Sequence, residues 1–155
     1  MAEYKIFVKC KDKVFDAEAE KIKKDIFAMG VKKKLSVKIA QIYKISGSIS
    51  FRKIKKICTA LLVDPLIQVI NINFESQNKC LAVEVYYKNG VTDTVAETVK
   101  IGIKDMGIGN ELFVKTGKKY FFESIPRLSK KELKLIAKKI LANTVIHNYR
   151  ITNGN

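Results

Sequence analysis

The side chains best suited to chemistry in this chain are few and scattered. Asp16 and Asp93 stand at matching places in two similar stretches, a pattern that could supply paired carboxylates for general acid–base work. Each also stands where a helix should begin, and there an Asp accepts the free backbone N–H groups of the first turn. Capping accounts for both residues, and Glu18, Glu20 and Glu97 read as favourable negative charges in the same first turns. His147 is the single histidine and has no Cys or carboxylate at ligand spacing, so it reads as a surface or structural group. Gly102 and Gly107 have phosphate-loop spacing, but Ile108-Gly109 follows in place of Lys-Ser/Thr and Gly102 falls inside a predicted helix. Gly-x-Ser-x-Gly, His-Glu-x-x-His and dinucleotide-binding fingerprints do not occur. No catalytic, cofactor-binding or metal-binding residue is therefore assigned, and no cofactor is expected.

Cys10, Cys58 and Cys80 are odd in number, lack Cys-x-x-Cys spacing, and stand where the local pattern wants apolar residues. They read as buried thiols. The formal charge of +15 suggests a phosphate-binding surface, but Arg occurs only at positions 52, 127 and 150. Bidentate recognition of phosphates and bases favours Arg. The lysines fall mainly on the polar faces of predicted helices, as in Lys23-Lys24, Lys55-Lys56 and Lys138-Lys139, which predicts a solvated face. Lys118-Lys119-Tyr120-Phe121-Phe122 mixes basic and aromatic residues in a strand and is the best candidate for an RNA-stacking platform. The matching run in the first half, Gln41-Ile42-Tyr43-Lys44-Ile45, places Ile in an aromatic position, which core packing explains.

The elements that must position these residues repeat. Asp16-Ala17-Glu18-Ala19-Glu20 returns as Asp93-Thr94-Val95-Ala96-Glu97, and Met29-Gly30-Val31 as Met106-Gly107-Ile108. Asp16 answers to Asp93 but Ile67 answers to Ile146, so the offset grows from 77 to 79 and implies a two-residue insertion near Ser124 to Arg127. The expected organisation is repeat 1 over 1–75, a polar linker over 76–79 and repeat 2 over 80–155. A half of a 155-residue chain is too short to bury a comfortable core, so the two repeats should pack as an internal dimer about a pseudo-twofold axis.

Each repeat reads strand, helix, strand, helix, strand. Ile6, Val8 and Cys10 alternate with polar residues, as do Val83, Val85 and Tyr87, the signature of half-buried strands. Ala19, Ile22, Ile26 and Met29 form one helical stripe; Ala96, Val99, Ile103 and Met106 form its partner, and Gly30 and Gly107 end both helices. Leu35, Val37 and Ile39 match Leu112, Val114 and Thr116 in a second strand. The next helices start near Ser50 and Ser129, with capping-box spacing in Ser129-Lys130-Lys131-Glu132. Their core stripes are Ile54, Ile57, Leu61, Leu62 and Leu133, Ile136, Ile140, Leu141. Last strands are predicted over Leu66 to Asn73 and Val145 to Ile151. The fold class is α+β, two pseudo-symmetric βαβαβ repeats related to the ferredoxin-like unit, with helices on one face of a mostly antiparallel sheet. The longest apolar stretch, Ala60 to Ile72, is interrupted and too short to span a bilayer, and the start lacks the pattern of a secretory leader. A cytoplasmic protein without membrane contact is expected.

The second repeat resembles the small PurS-type subunit of phosphoribosylformylglycinamidine synthase. The resemblance rests on Val83 to Asp93 with its Lys-x-Gly-Val-x-Asp turn, on Val114 to Tyr120, and on Ile140-Leu141-Ala142-Asn143-Thr144-Val145-Ile146. The first repeat keeps Lys11, Val14, Asp16 and Asp64-Pro65-Leu66-Ile67 of the same skeleton. The resemblance implies a PurS-like tandem, free-standing or the opening part of a larger ATP-dependent, glutamine-using ligase of purine biosynthesis. It implies a non-catalytic assembly module whose partners are the glutaminase and synthetase subunits or domains of that synthase, and that aids sheltered ammonia transfer. The alternatives are an RNA- or nucleotide-binding ferredoxin-like tandem, with nucleic acid disfavoured as a partner, and a sensor holding a small molecule at the interface between repeats.

Overall fold

A computed structural model describes residues 2–73, 80–108 and 111–152. The linker expected at 76–79 lies outside the described residues. The elements run β1 (Ala2–Cys10), α1 (Ala17–Ala28), β2 (Lys34–Gly47), α2 (Phe51–Ile57), β3 (Gln68–Ile72), β4 (Leu81–Tyr87), α3 (Thr94–Asp105), β5 (Phe113–Ile125), α4 (Lys130–Ile136) and β6 (His147–Thr152). This is the expected βαβαβ pattern, twice. The strands form one six-stranded sheet in the order β3-β1-β2-β5-β4-β6. Antiparallel ladders join β1 to β3, with Val8 opposite Ile70, and β4 to β6, with Val85 opposite Tyr149.

Local chemistry sets the helix ends. Asp16 and Asp93 accept from Ala19 N–H at 3.1 Å and Ala96 N–H at 3.0 Å, while Ser50 and Ser129 cap α2 and α4. Glu132 closes the capping box by accepting from Ser129 N–H at 3.0 Å. Gly30 and Gly107 adopt φ of +98° and +78° just past α1 and α3, where glycine meets no Cβ penalty.

The chain divides into two compact units, and neither is one sequence repeat. Unit 1 holds β1, β2 from Gln41 onward, α2, β3, α3 and β5 up to Gly117; unit 2 holds α1, β2 up to Ala40, β4, β5 from Lys118, α4 and β6. In unit 1, Val99 and Ile103 of α3 pack with Ile54 and Ile57 of α2 over Ile6 and Val8. In unit 2, Ile22 and Ile26 of α1 pack with Leu133 and Ile136 of α4 over Val83 and Val85. The helical stripes were legible from spacing; the strands they cover were not.

Three expectations need correction. Leu61 belongs to no buried stripe: it is exposed, and Ile140 only partly buried, because each helix changes to a π turn, Cys58–Leu62 and Ala137–Leu141. Val63 N–H reaches Cys58 O and Ala142 N–H reaches Ala137 O in these wider turns, while Leu62 and Leu141 are buried as expected. Met29 and Met106 are helix C-caps and only partly buried. The first strands are not wet on one face, since Phe7 of β1 and Ala82 and Glu84 of β4 are buried as well.

Two glycines carry opposite expectations. Gly47 ends β2 at φ +144°, and a Cβ there would lie 2.7 Å from Leu112 Cδ2 and 3.2 Å from Glu111 O. Gly102 sits inside α3, where a Cβ would meet only the tips of Leu61 at 2.7 and 2.8 Å, and Leu61 is free to swing outward. Gly47→Ala should lower unfolding free energy by about 1–3 kcal/mol through backbone strain and contact with a main-chain oxygen. Gly102→Ala should raise it by about 0.5–1 kcal/mol through helix propensity. Urea titration of both variants checks the pair.

Candidate protein-docking surface

Asp93 does more than cap. Its Oδ2 accepts from Thr116 N–H at 2.8 Å and its Oδ1 from Thr116 Oγ1–H at 2.8 Å, tying the start of α3 to buried β5. Ile39 occupies the sequence position equivalent to Thr116, and the Asp16 side chain has only the cap bond to Ala19 N–H among the hydrogen bonds described. A carboxylate held by three protein donors is a structural anchor, and the two Asp residues lie in different compact units. Glu18 pairs with Lys118 at 2.7 Å and Glu97 with Lys100 at 3.3 Å.

The basic and aromatic run offers no stacking platform. Tyr120 is 5% exposed and Phe122 2%, both inside the core of unit 2, and burial pushes the Tyr120 hydroxyl pKa up, with the Glu18 charge adding to the effect. Lys119 is buried and lies 3.8 Å from Glu84. Spacing gave no sign of Glu84: alternation with Val83 and Val85 marked it as solvent-facing, yet it is 1% exposed and accepts from Arg150 Nη2–H at 2.6 Å. The equivalents of Glu84, Lys119 and Arg150 in the first repeat are Phe7, Ile42 and Asn71, so this charged group belongs to repeat 2 alone. The buried Cys58 thiol is pushed up to about 11 by burial, and Cys80 is raised by burial and then by Glu123. Both therefore stay as protonated, unreactive thiols. Cys10 is only half-buried, against the expectation of burial.

His147 has a defined partner. Its Nδ1 accepts from Asn143 N–H at 3.0 Å, as Gln68 Oε1 accepts from Asp64 N–H at 2.9 Å in the other unit. Around these acceptors two turns are built alike. Asp64 Oδ1 accepts from Leu66 N–H at 3.0 Å, and Asn143 Oδ1 accepts from Val145 N–H at 3.1 Å. Asp64 O and Asn143 O each accept two further N–H groups, from Ile67 and Gln68 and from Ile146 and His147. Lys11 N–H bonds to Ile67 O, and Lys88 N–H to Ile146 O. Each turn presents one apolar side chain to solvent: Leu66 is 81% exposed and Val145 78%. The helical segments leading in carry exposed Lys55 and Lys56, or Lys138 and Lys139.

Elsewhere on unit 1 a cleft of about 440 Å³ at the end of α3 is lined by apolar Ile103, Ile108 and Leu112 together with Lys100, Lys104 and Glu111. Among the described residues no group of three or more His, Cys, Asp or Glu is placed to hold a metal ion. No helix of the described residues is long and apolar enough to cross a membrane.

Comparison with family models finds the model for PurS, described as phosphoribosylformylglycinamidine (FGAM) synthase, matching twice, over residues 3–76 and 80–154. The chain belongs to the PurS family. Nearly its whole length is a PurS tandem, which ties it to FGAM synthase and to purine biosynthesis. A search of curated proteins returns no match. The PurS repeats retain the capping Asp and the Asx-type turn in both copies, while the buried charge and the histidine occur in one.

Two outcomes follow for this PurS tandem. Asp16→Ala removes one cap bond and should cost about 1 kcal/mol, whereas Asp93→Ala also strands the buried Thr116 N–H and hydroxyl and should cost about 2–4 kcal/mol by denaturant unfolding. Burial lowers the His147 pKa below its ordinary value of 6.5, so below that pH the unfolded chain binds the proton more readily than the folded one. Wild-type stability should fall as pH drops through about 6.5 and level off below the folded pKa. His147→Gln, which installs the acceptor used by the other turn, should match wild type near neutral pH and be the more stable protein at pH 5.

Proposed function

We propose that this PurS tandem is a non-catalytic assembly module of FGAM synthase. In this reading it holds the glutaminase and ATP-dependent synthetase parts together, so that ammonia released from glutamine reaches formylglycinamide ribonucleotide without escaping to solvent. The observation that supports it is the double PurS match together with the use of each candidate polar group. Asp16 and Asp93 cap helices, His147 closes a turn and Tyr120 fills a core, while exposed turns and lysine-bearing helices remain for contact. A tandem replaces association of two separate small subunits by an intramolecular one, so the module persists at any dilution. A cytoplasmic location beside the other synthase parts belongs to the same proposal. Burial of the Lys118 to Phe122 aromatics gives the RNA-binding alternative no support.

Reconstitution with the remaining parts of the synthase tests this. With the chain present, glutamate released and amidine formed should stay matched. Leaving it out should depress glutamine-dependent synthesis by about tenfold or more while synthesis from added ammonium salt persists. Equal glutamine-dependent rates with and without the chain would refute the assembly role.

A further inference from the structure

Two of the ion pairs in unit 2 join one repeat to the other. Glu18 of α1 accepts from Lys118 Nζ of β5 at 2.7 Å, and Glu132 of α4 accepts from Lys33 Nζ, just before β2, at 2.6 Å. Lys33 Nζ also donates to Arg127 O at 3.2 Å. The hydrogen bond from Lys33, with Ser129 N–H adding to it, holds the Glu132 carboxyl below its ordinary pKa. Each pair takes one residue from each repeat, and neither is encoded a second time. Val95 and Gln41 stand at the sequence positions equivalent to Glu18 and Lys118, and Asn110 and Lys53 at those equivalent to Lys33 and Glu132.

This asymmetry bears on which repeat pairs with which. Each core is closed by the other repeat's helix, and the two helices bring similar apolar stripes, Ile22 and Ile26 or Val99 and Ile103. The charges distinguish the partners. In a repeat 1 paired with its own copy, Lys33 would meet Lys53 and Glu18 would meet Gln41, in both halves of the complex. In a repeat 2 paired with its own copy, Glu132 would have Asn110 as its counterpart and Lys118 would have Val95. Converting two matched complexes into one self-pair of each kind therefore gives up four ion pairs and creates two Lys–Lys contacts. The side chains are 21% and 26% exposed in Lys33–Glu132 and 39% and 47% in Lys118–Glu18, so one pair alone is worth a few-fold at most. Four lost together multiply, and the like charges supply the repulsion that discrimination between similar partners needs.

We propose that the repeats select each other by charge: Lys33 and Glu18 of repeat 1 recognise Glu132 and Lys118 of repeat 2, and Lys33 facing Lys53 rejects a second copy of repeat 1. Rejection of one self-pair is enough, because the repeats are present in equal number and a repeat 2 can pair with itself only if a repeat 1 is left over. The consequence is closure within one chain. Self-complementary repeats would give each chain two open valences, repeat 1 on repeat 1 and repeat 2 on repeat 2, and chains would join into filaments or rings. The inference goes beyond the assembly role in FGAM synthase and does not depend on it.

The test starts from the full chain with a protease recognition sequence inserted at 76–79. The folded protein is purified and cut, the two-fragment complex is unfolded in urea and refolded by dilution, and native mass spectrometry counts the pairs by mass. Matched pairs should dominate, with self-pairs below about a tenth of the total where indifferent partners would give about half. Salt raised to about 1 M should let self-pairs increase. Lys53→Glu, which turns the Lys–Lys contact into an attraction, should raise the repeat 1 self-pair several-fold. Statistical pairing by the wild-type fragments, or selection that ignores both salt and Lys53→Glu, would overturn the proposal. The uncut chain gives a second reading by urea titration. Glu132→Lys loses the ion pair and the capping box, and adding Lys33→Glu restores the pair alone. The charge-swapped double variant should therefore unfold at a higher urea midpoint than Glu132→Lys, and an equal or lower midpoint would sink the role given to Lys33 and Glu132.

Discussion

Each hydrophobic core in this protein closes only when a helix encoded in one repeat lies over strands encoded in the other. Ile22 and Ile26, from the first repeat, are buried against Val83, Val85 and Leu133 of the second. Val99 and Ile103, from the second, are buried against Ile6, Val8 and Ile54 of the first. Fully burying one such side chain is worth about 1.5–3 kcal/mol, and whole-domain stability is only about 5–15 kcal/mol. A repeat deprived of its sister's helix would lose two of these large side chains together with the helix that carries them. The repeat is thus the unit of sequence, and the exchanged set of elements is the unit of stability.

That constraint leaves polar positions free to differ as long as the apolar stripes are kept. The first repeat places Phe7, Ile42 and Asn71 where the second places Glu84, Lys119 and Arg150, and Ile39 stands in for Thr116 below the capping Asp. A buried carboxylate is tolerated because Arg150 reaches it at 2.6 Å and Lys119 lies 3.8 Å away, two cations that offset its desolvation. The reading of the chain as an assembly part of FGAM synthase draws its support from the family to which it belongs.

Much of this was legible in the residues themselves. Asp16, Asp93, Ser50 and Ser129 announced helix starts, Gly30 and Gly107 announced stops, and the three-four spacing of Ile22, Ile26 and Val99, Ile103 gave the buried faces, because all of these depend on bonds within one turn of chain. What escaped depends on distant neighbours. The exchange of α1 and α3 could not be seen, since periodicity says which face is buried and not what covers it. Glu84 looked solvated because a charged residue between valines has the same pattern whether its face is wet or covered. The π turns escaped because no side chain marks an i→i−5 bond, and they shifted Leu61 and Ile140 off the expected stripe. The two Asx-type turns carried a faint signal in the correspondence of Gln68 with His147, two side chains that share the ability to accept a hydrogen bond and little else.

That last correspondence has a bearing on how a fused pair can change over time. In an association of identical chains every substitution is made in duplicate, so matching sites are bound to remain matched. Here Gln68 and His147 occupy one structural role under separate inheritance, and the imidazole alone can gain a proton. Covalent fusion has converted an enforced symmetry into an optional one, in which either half is open to selection for its own chemistry while the architecture they share stays the same.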